Sequence, residues 1–151
     1  MSSLGFIGLG SMGGPMARNL VSDGHDLTAF DLDEEPLEAI AEAGATAASS
    51  ASEAATDAEV VFLSLPGPDN VTAVVDEIEA DISEGSILVD LTTSTPGTTN
   101  GIAERLEPRG VDVTNELVAA VEREQTLSEK KAKAGIVTRA KWWLVGMDDE
   151  E

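Results

Sequence analysis

The sequence has no cysteine, no long apolar run and few basic residues, and each absence excludes a class of protein. Without cysteine there is no disulfide framework, zinc knuckle or thiol nucleophile. No apolar run is long enough to span a bilayer, and the first residues lack the pattern of a signal peptide. We therefore expect a cytoplasmic protein, and we predict no metal site.

The shortage of basic residues leaves a strong negative charge. Asp and Glu number 29 against 9 Lys and Arg, for a formal net charge of −20. Such a field repels phosphate backbones and anionic lipid, so nucleic acid and membrane surfaces are poor candidate partners. General solubility is one explanation of the charge. We favour another, a halophilic protein in a saline cytoplasm, where salt screens the repulsion between carboxylates.

The charge is also unevenly distributed. Residues 1–110 contain 20 acidic and 3 basic residues, whereas residues 111–151 contain 9 acidic and 6 basic residues. All four lysines and both tryptophans lie in the second segment. The end of the chain therefore differs in composition from the rest.

Apolar runs and helical stripes alternate through about 110 residues, within a length that suits one domain. Predicted strands cover residues 4–7, 26–30, 45–47, 60–65, 86–91 and 111–113, with a helix after each of the first five. Ser50 and Glu53 have the spacing of a capping box, and we expect Asp69 or Asn70 to cap the fourth helix. This alternation predicts a doubly wound α/β domain, with a parallel sheet and helices on both faces.

A glycine motif follows the first strand and opens an amphipathic helix, in the segment Gly8-Leu9-Gly10-Ser11-Met12-Gly13. In this context Gly8 permits a sharp turn, Gly10 lets the backbone approach a pyrophosphate, and Gly13 lets the helix pack close to the strand. The amides and the dipole at the start of the helix hold the anion. The motif predicts a dinucleotide-binding domain of the Rossmann type.

Asp31 ends the second predicted strand, 18 residues after Gly13. A carboxylate at that place accepts hydrogen bonds from the adenine ribose hydroxyls and repels a 2′-phosphate. No arginine follows, since the next residues are Leu-Asp-Glu-Glu. We therefore expect NAD as the cofactor rather than NADP. The alternative is that Asp31 is one more surface carboxylate of an acidic chain.

Residues 5–20 resemble the opening of the β-hydroxyacid dehydrogenases, with the sequence GFIGLGSMGGPMARNL. That family includes 3-hydroxyisobutyrate dehydrogenases and, more distantly, 6-phosphogluconate dehydrogenases. The resemblance covers residues 3–113. It implies an oxidoreductase that acts on the CH–OH group of a β-hydroxyacid.

Further cofactor contacts follow from this resemblance. Leu65-Pro66 matches a dipeptide that lies along the cofactor, and Asn70 has the spacing of another contact. Residues 90–96 read DLTTSTP and are similar to the Asp-x-Ser-Thr-x-x-Pro segment of the family, with Thr92 in place of serine. The resemblance implies that Thr93 lies by the nicotinamide and the substrate. Alternatively, residues 92–95 form only a helix-capping loop.

The resemblance is lost after residue 113. The family continues with Asp-Ala-Pro-Val-Ser-Gly-Gly, a loop that holds the substrate carboxylate, whereas residues 115–121 read NELVAAV. The pattern predicts a helix over residues 115–134 and a strand over residues 136–144. We treat residues 115–143 as an atypical segment of a single domain that spans residues 1–151.

The resemblance also implies a catalytic lysine in a Lys-x-x-Asn-Asn context, within a later helical domain for substrate binding and dimerisation. The chain contains no such context, so we predict no catalytic residue and no complete active site in it. We expect a truncated or diverged form without that domain, which binds a small β-hydroxyacid only when a second domain is supplied. Alternatives are a stand-alone NAD-binding or sensing module, or a protein that self-associates as a homo-oligomer.

Overall fold

The computed structural model describes residues 3–92 and 95–115, apart from the side chains of Pro96 and Asn115. The strands are β1 (Ser3–Ile7), β2 (Asp26–Phe30), β3 (Thr46–Ala47), β4 (Val60–Leu63), β5 (Ile87–Asp90) and β6 (Asp112–Asn115). The helices are α1 (Gly13–Ser22), α2 (Glu34–Glu42), α3 (Ala51–Ala55), α4 (Pro68–Ile78) and α5 (Pro96–Leu106), followed by a 3₁₀ turn (Glu107–Arg109).

The six strands form one parallel sheet in the order β3-β2-β1-β4-β5-β6. The chain winds outward from β1 in one direction and from β4 in the other, so these neighbouring strands meet where the winding direction changes. In open α/β sheets a crevice forms at this point, beyond the carboxyl ends of the strands, and ligands bind in it. The predicted fold class is confirmed: the domain is a doubly wound parallel sheet with helices on both faces.

Hydrophobic side chains bury both faces of the sheet. On β1, Leu4 and Phe6 point to one face and Ile7 to the other, as the two-residue period of a strand requires. Phe6 stacks on Phe62 of β4, with ring centroids 5.6 Å apart. α1 and α2 pack on the face of Phe6, and α3, α4 and α5 pack on the opposite face. The central strands are therefore buried on both sides and fix the positions of the loops at their ends.

The start of α4 differs from the sequence expectation. α4 begins with Gly67 as N-cap and Pro68 as its first residue, so the expectation that Asp69 or Asn70 caps it is wrong. Proline is well suited to the first helical position, because the missing N–H has no intrahelical partner there.

Of the two hydrogen bonds expected in the capping box of α3, one forms as expected and the other has a donor one residue earlier in the chain. The Ser50 hydroxyl accepts the N–H of Glu53 at 3.1 Å. The Glu53 carboxylate accepts from the N–H and the hydroxyl of Ser49, rather than from the N–H of Ser50. These two bonds lower the pKa of Glu53.

The last described strand also begins and ends later than expected. β6 covers Asp112–Asn115, so Asn115 belongs to a strand and not to the start of a helix. The expected helix after residue 115, the expected strand over residues 136–144 and Thr93 lie outside the described residues. Within residues 3–92 and 95–115, no helix is long and apolar enough to cross a membrane.

Candidate dinucleotide-binding site

Gly8 makes the turn that leaves β1 at the crevice. Its φ of 101° lies in the left-handed region that favours glycine. Its N–H donates to Phe30 O of β2 at 3.0 Å, and a Cβ here would lie 2.0 Å from Ser64 O. The turn is therefore fixed between the ends of β2 and β4 and has no room for a side chain.

Gly13 and Gly10 are glycines for different physical reasons. A Cβ on Gly13, the first residue of α1, would lie 2.1 Å from Gly8 O, so the close approach of helix and turn requires glycine. A Cβ on Gly10 would meet no atom within 4 Å, so internal packing does not require glycine there. Open space beside a backbone that carries no side chain fits the close approach of a pyrophosphate.

The start of α1 lacks the side-chain caps and the acidic residues found at the starts of the other described α-helices. α1 has neither a side-chain cap nor an acidic residue in its first turn. Serine or threonine side chains cap α3 and α5, and acidic residues lie in the first turns of α2 and α4. In a chain with a net charge of −20, the positive end of this one helix dipole is left for an external anion.

Asp31 lies directly after β2, and backbone amides hold both of its carboxylate oxygens. Leu9 N–H donates to Oδ2 at 2.7 Å, and Asp33 N–H donates to Oδ1 at 2.8 Å. Each carboxylate oxygen has a further lone pair, so the group can still accept hydrogen bonds from ligand hydroxyls. Asp31 thus ties the glycine turn to the loop after β2, a role that the sequence did not predict.

Two large apolar side chains are exposed beside these groups. Met12 in the glycine segment is 63% exposed, and Leu32 after Asp31 is 91% exposed. Ser11 is also exposed. These side chains border the start of α1 and the end of β2, where the pyrophosphate and the adenine ribose of a bound dinucleotide would contact the domain.

Leu65 lies on the opposite side of the crevice, after β4, and a threonine fixes its position. Its N–H donates to Thr92 Oγ1 at 2.9 Å, and its side chain is partly buried. Pro66 and Asn70 are exposed, with Asn70 in the first turn of α4. The structure thus brings Leu65 to the glycine turn and leaves Pro66 and Asn70 exposed at the surface.

Sequence reasoning missed the contribution of Asp90 and Thr92. Both side chains are buried, and Asp90 Oδ1 accepts the N–H of Thr92 at 2.9 Å. An aspartate that accepts from the amide two residues later makes an Asx-turn, so the Asp-x-Thr spacing was a usable signal.

One group of ion pairs lies away from the crevice, between α4 and α5. Arg105 of α5 forms ion pairs with Asp76 of α4 and with Glu79, the C-cap residue of that helix, and these bonds raise the pKa of Arg105. Among the residues that the structure describes, no group of three or more His, Cys, Asp or Glu could hold a metal ion.

Comparison with known proteins decides the family. Residues 3–134 match the family model described as the NAD binding domain of 6-phosphogluconate dehydrogenase. The chain belongs to this family. The match continues past residue 113 and includes residues 115–134, much of the segment 115–143 that was expected to be atypical.

Curated relatives and solved structures agree. The chain is 36% identical over 114 residues to a 3-hydroxyisobutyrate dehydrogenase of Pseudomonas aeruginosa. The aligned region covers 74% of this chain and 38% of that protein. It is 34% identical over 113 residues to a 3-sulfolactaldehyde reductase of Escherichia coli, covering 73% of this chain and 38% of that protein. The structure of a Mycobacterium tuberculosis 3-hydroxyisobutyrate dehydrogenase matches with a TM-score of 0.73 and 29% identity, over 76% of this chain and 40% of that one.

These matches confirm the resemblance to the β-hydroxyacid dehydrogenases. The chain is a nicotinamide-dinucleotide-binding domain of the 3-hydroxyisobutyrate dehydrogenase-like oxidoreductases. It spans about two fifths of the length of these relatives.

Proposed function

We propose that this domain binds NAD(H) in preference to NADP(H), for an enzyme that oxidises the CH–OH group of a small β-hydroxyacid. The observation that carries the cofactor preference is the Asp31 carboxylate, held by Leu9 N–H and Asp33 N–H at the end of β2. A carboxylate in this place accepts hydrogen bonds from ribose hydroxyls and repels a 2′-phosphate.

The residues after Asp31 support the same preference. A 2′-phosphate beside Asp31 would face Asp33, Glu34 and Glu35 at the start of α2. The start of a helix attracts phosphate, but three carboxylates there oppose this attraction. Leu32 offers an apolar side chain in the position where an arginine would neutralise the phosphate.

The residues proposed to hold the dinucleotide lie along the crevice. The amides at the start of α1 and the open backbone at Gly10 fit the pyrophosphate, and Asp31 fits the adenine ribose. The nicotinamide half would lie toward the ends of β4 and β5, against Leu65-Pro66, Asn70 and Thr93. The bound cofactor supplies hydride transfer, and this domain binds and orients it.

Oxidation of an alcohol also needs a group that accepts the hydroxyl proton and returns it in the reverse direction. The family resemblance implies a lysine for this step, but the four lysines of this sequence lie at residues 130–141 and lack the expected asparagines. We therefore propose that a second domain is needed both to bind the β-hydroxyacid and to carry out this proton transfer.

A fluorescence titration tests the cofactor proposal. The chain, in molar KCl, is titrated with NADH and separately with NADPH. We expect NADH to bind at least about tenfold more tightly, because one phosphate would face several carboxylates. Asp31→Ala should weaken NADH binding. Asp33→Ala removes an equal charge two residues away and serves as the matched control, with NADH affinity retained to within about twofold.

Two results would contradict the proposal. Tighter binding of NADPH than of NADH would overturn the cofactor preference. No saturable binding of either nucleotide by the folded wild-type chain would overturn the binding function.

A further inference from the structure

At the carboxyl ends of β4 and β5, a threonine side chain accepts a backbone N–H that a main-chain carbonyl would accept if the strand pairing continued. Within the ladder, Leu91 N–H donates to Leu63 O at 2.8 Å. Leu65, two residues further along, would be the next donor toward β5 because alternate residues of a parallel strand bond to the same neighbour. Its N–H instead donates to Thr92 Oγ1 at 2.9 Å. Thr92 thus continues the strand pairing to the edge of the crevice.

Thr92 itself is held in place. Only 3% of the residue is exposed, and its N–H donates to Oδ1 of Asp90, which is 2% exposed. A buried hydroxyl with a fixed backbone has little freedom to move. The position of Leu65 N–H is therefore set by the end of β5, through a bond that joins residues 27 apart in the chain.

The Leu65 segment lies in direct contact with the glycine turn. A Cβ on Gly8 would lie 2.0 Å from Ser64 O and 3.2 Å from Leu65 Cδ2. The backbone of Gly8 therefore packs against Ser64-Leu65 without intervening atoms. A displacement of Leu65 away from β5 would be transmitted to Gly8 and so to the turn that leads to Gly10.

We propose that Thr92 is a positioning residue for the dinucleotide site: through Leu65 it fixes the Gly8 turn and the width of the crevice between β1 and β4. This inference rests on the proposed function, because the crevice matters only if a dinucleotide binds in it. Thr92 acts through Leu65, and no contact between Thr92 and the cofactor is required.

The chain offers a matched control at the other end of the same strand. The hydroxyl of Ser86, before β5, donates to Ala58 O, before β4, at 2.8 Å and is also buried. Ser86 and Thr92 thus make similar side-chain bonds between the flanks of β4 and β5. Ser86 does so at the amino ends of the strands, away from the crevice.

The first test compares NADH affinity among three variants of the full chain in molar KCl. Thr92→Val keeps the shape of the side chain and removes the acceptor for Leu65 N–H, and we expect it to weaken NADH binding roughly tenfold. Thr92→Ser keeps the hydroxyl and should bind within about twofold of the wild type. Ser86→Ala should lose stability but retain its affinity. Thr92→Ala replaces Thr92→Val if the latter does not fold.

The second test needs no ligand. Amide hydrogen exchange reports the opening of individual hydrogen bonds, including Gly8 N–H to Phe30 O. In Thr92→Val we expect exchange at Gly8 to accelerate at least about fivefold, whereas Ser86→Ala should leave it unchanged.

The outcomes separate this inference from the proposed function. Equal NADH affinity in the wild type and folded Thr92→Val, or equal weakening in Ser86→Ala, would overturn the role of Thr92. Absence of NADH binding by the wild type would overturn the proposed function, and exchange at Gly8 would then decide alone whether Thr92 fixes the turn.

Discussion

The three glycines of the motif show how one residue type serves two purposes at one turn. Gly8 and Gly13 are required by the protein itself, since a Cβ on either would lie about 2 Å from a backbone oxygen. Gly10 has open space around its missing Cβ. Folding therefore explains two of the glycines, and the proposed binding of a pyrophosphate would account for the third.

This difference predicts opposite phenotypes for two alanine substitutions. Gly13→Ala forces Gly8 O to move and should lower the free energy of unfolding by about 1–3 kcal/mol or more. Gly10→Ala should change it by no more than about 0.5 kcal/mol, while NADH affinity falls at least roughly tenfold because the methyl group occupies the space for the pyrophosphate. Urea unfolding and NADH titration measure both properties. Unchanged NADH affinity in Gly10→Ala would contradict the assignment of Gly10 to phosphate binding.

His25 lies between α1 and β2 and makes the stability of the fold depend on pH. Burial lowers its pKa below 6.5, against the opposing effect of Asp23. Because the unfolded chain then binds the proton more readily than the folded chain, the contribution of His25 to stability is full above pH 6.5 and is lost as the pH falls through 6.5 toward the folded-state pKa. A histidine whose pKa is raised by a carboxylate partner has the opposite pH dependence, since its contribution to stability is lost as the pH rises.

His25→Gln tests this dependence because glutamine does not titrate. Any advantage of the wild type over the variant in free energy of unfolding should shrink between about pH 7.5 and pH 5.5. Protonation of the many carboxylates affects both proteins and cancels in the difference. A difference that stays constant or grows on acidification would show that the pKa of His25 is not lowered in the folded chain.

At the scale of secondary-structure elements, the sequence predicted the order of strands and helices through β6, because each buried strand is a short apolar run between turn residues. It also predicted where Gly8, Gly10, Gly13 and Asp31 lie. It did not predict that Leu9 N–H bonds to Asp31, or Leu65 N–H to Thr92, because these bonds join residues 22 and 27 positions apart. Local patterns specify elements, but contacts between loops depend on how the sheet aligns strand ends.

The cap of α4 shows a second limit of local reasoning. Asp69 and Asn70 are good capping residues, yet the helix starts before them at Pro68. Proline fixes φ near the helical value and has no N–H to leave unpaired, so it suits the first position. An acidic residue in the first turn still stabilises the helix through its dipole without acting as the cap.

The spacing between α3 and β1 depends on one glycine in a strand. A Cβ on Gly5 would lie 2.2 Å from Ala54 O, so the helix backbone packs directly on the strand. Such a glycine inside a strand often marks the close approach of another backbone. The alanines of α3 allow this approach, because larger side chains would hold the helix away from the sheet.

Gly5→Ala should therefore separate α3 from β1 and lower the free energy of unfolding by about 1–3 kcal/mol. Gly101→Ala in α5 is the matched control, since a Cβ there meets no atom within 4 Å. Alanine is favoured over glycine inside a helix, and this control should raise stability by about 0.5–1 kcal/mol. Equal effects of the two substitutions in urea unfolding would contradict the close packing of α3.

At the scale of the whole molecule, the charge is the dominant property. Residues 1–110 contain 20 acidic and 3 basic residues, and Arg105 is already paired with two of the acids. Most carboxylates therefore face others of the same sign, and their repulsion is strongest in the compact folded state. The start of α1 has no acidic residue in its first turn, so no carboxylate of that turn opposes a bound anion there.

This repulsion predicts that salt stabilises the fold, as expected of a halophilic protein. The Debye length falls from about 10 Å at 0.1 M salt to about 3 Å at 1 M, so molar KCl screens carboxylates that repel one another across the surface. We expect the midpoint of thermal unfolding to rise continuously from dilute buffer to molar KCl. Choline chloride at equal ionic strength separates screening from binding of hydrated potassium ions: equal stabilisation by both salts indicates screening alone. A chain with the same unfolding midpoint in dilute buffer and in molar KCl would contradict the halophilic interpretation and leave solubility as the explanation of the acidic surface.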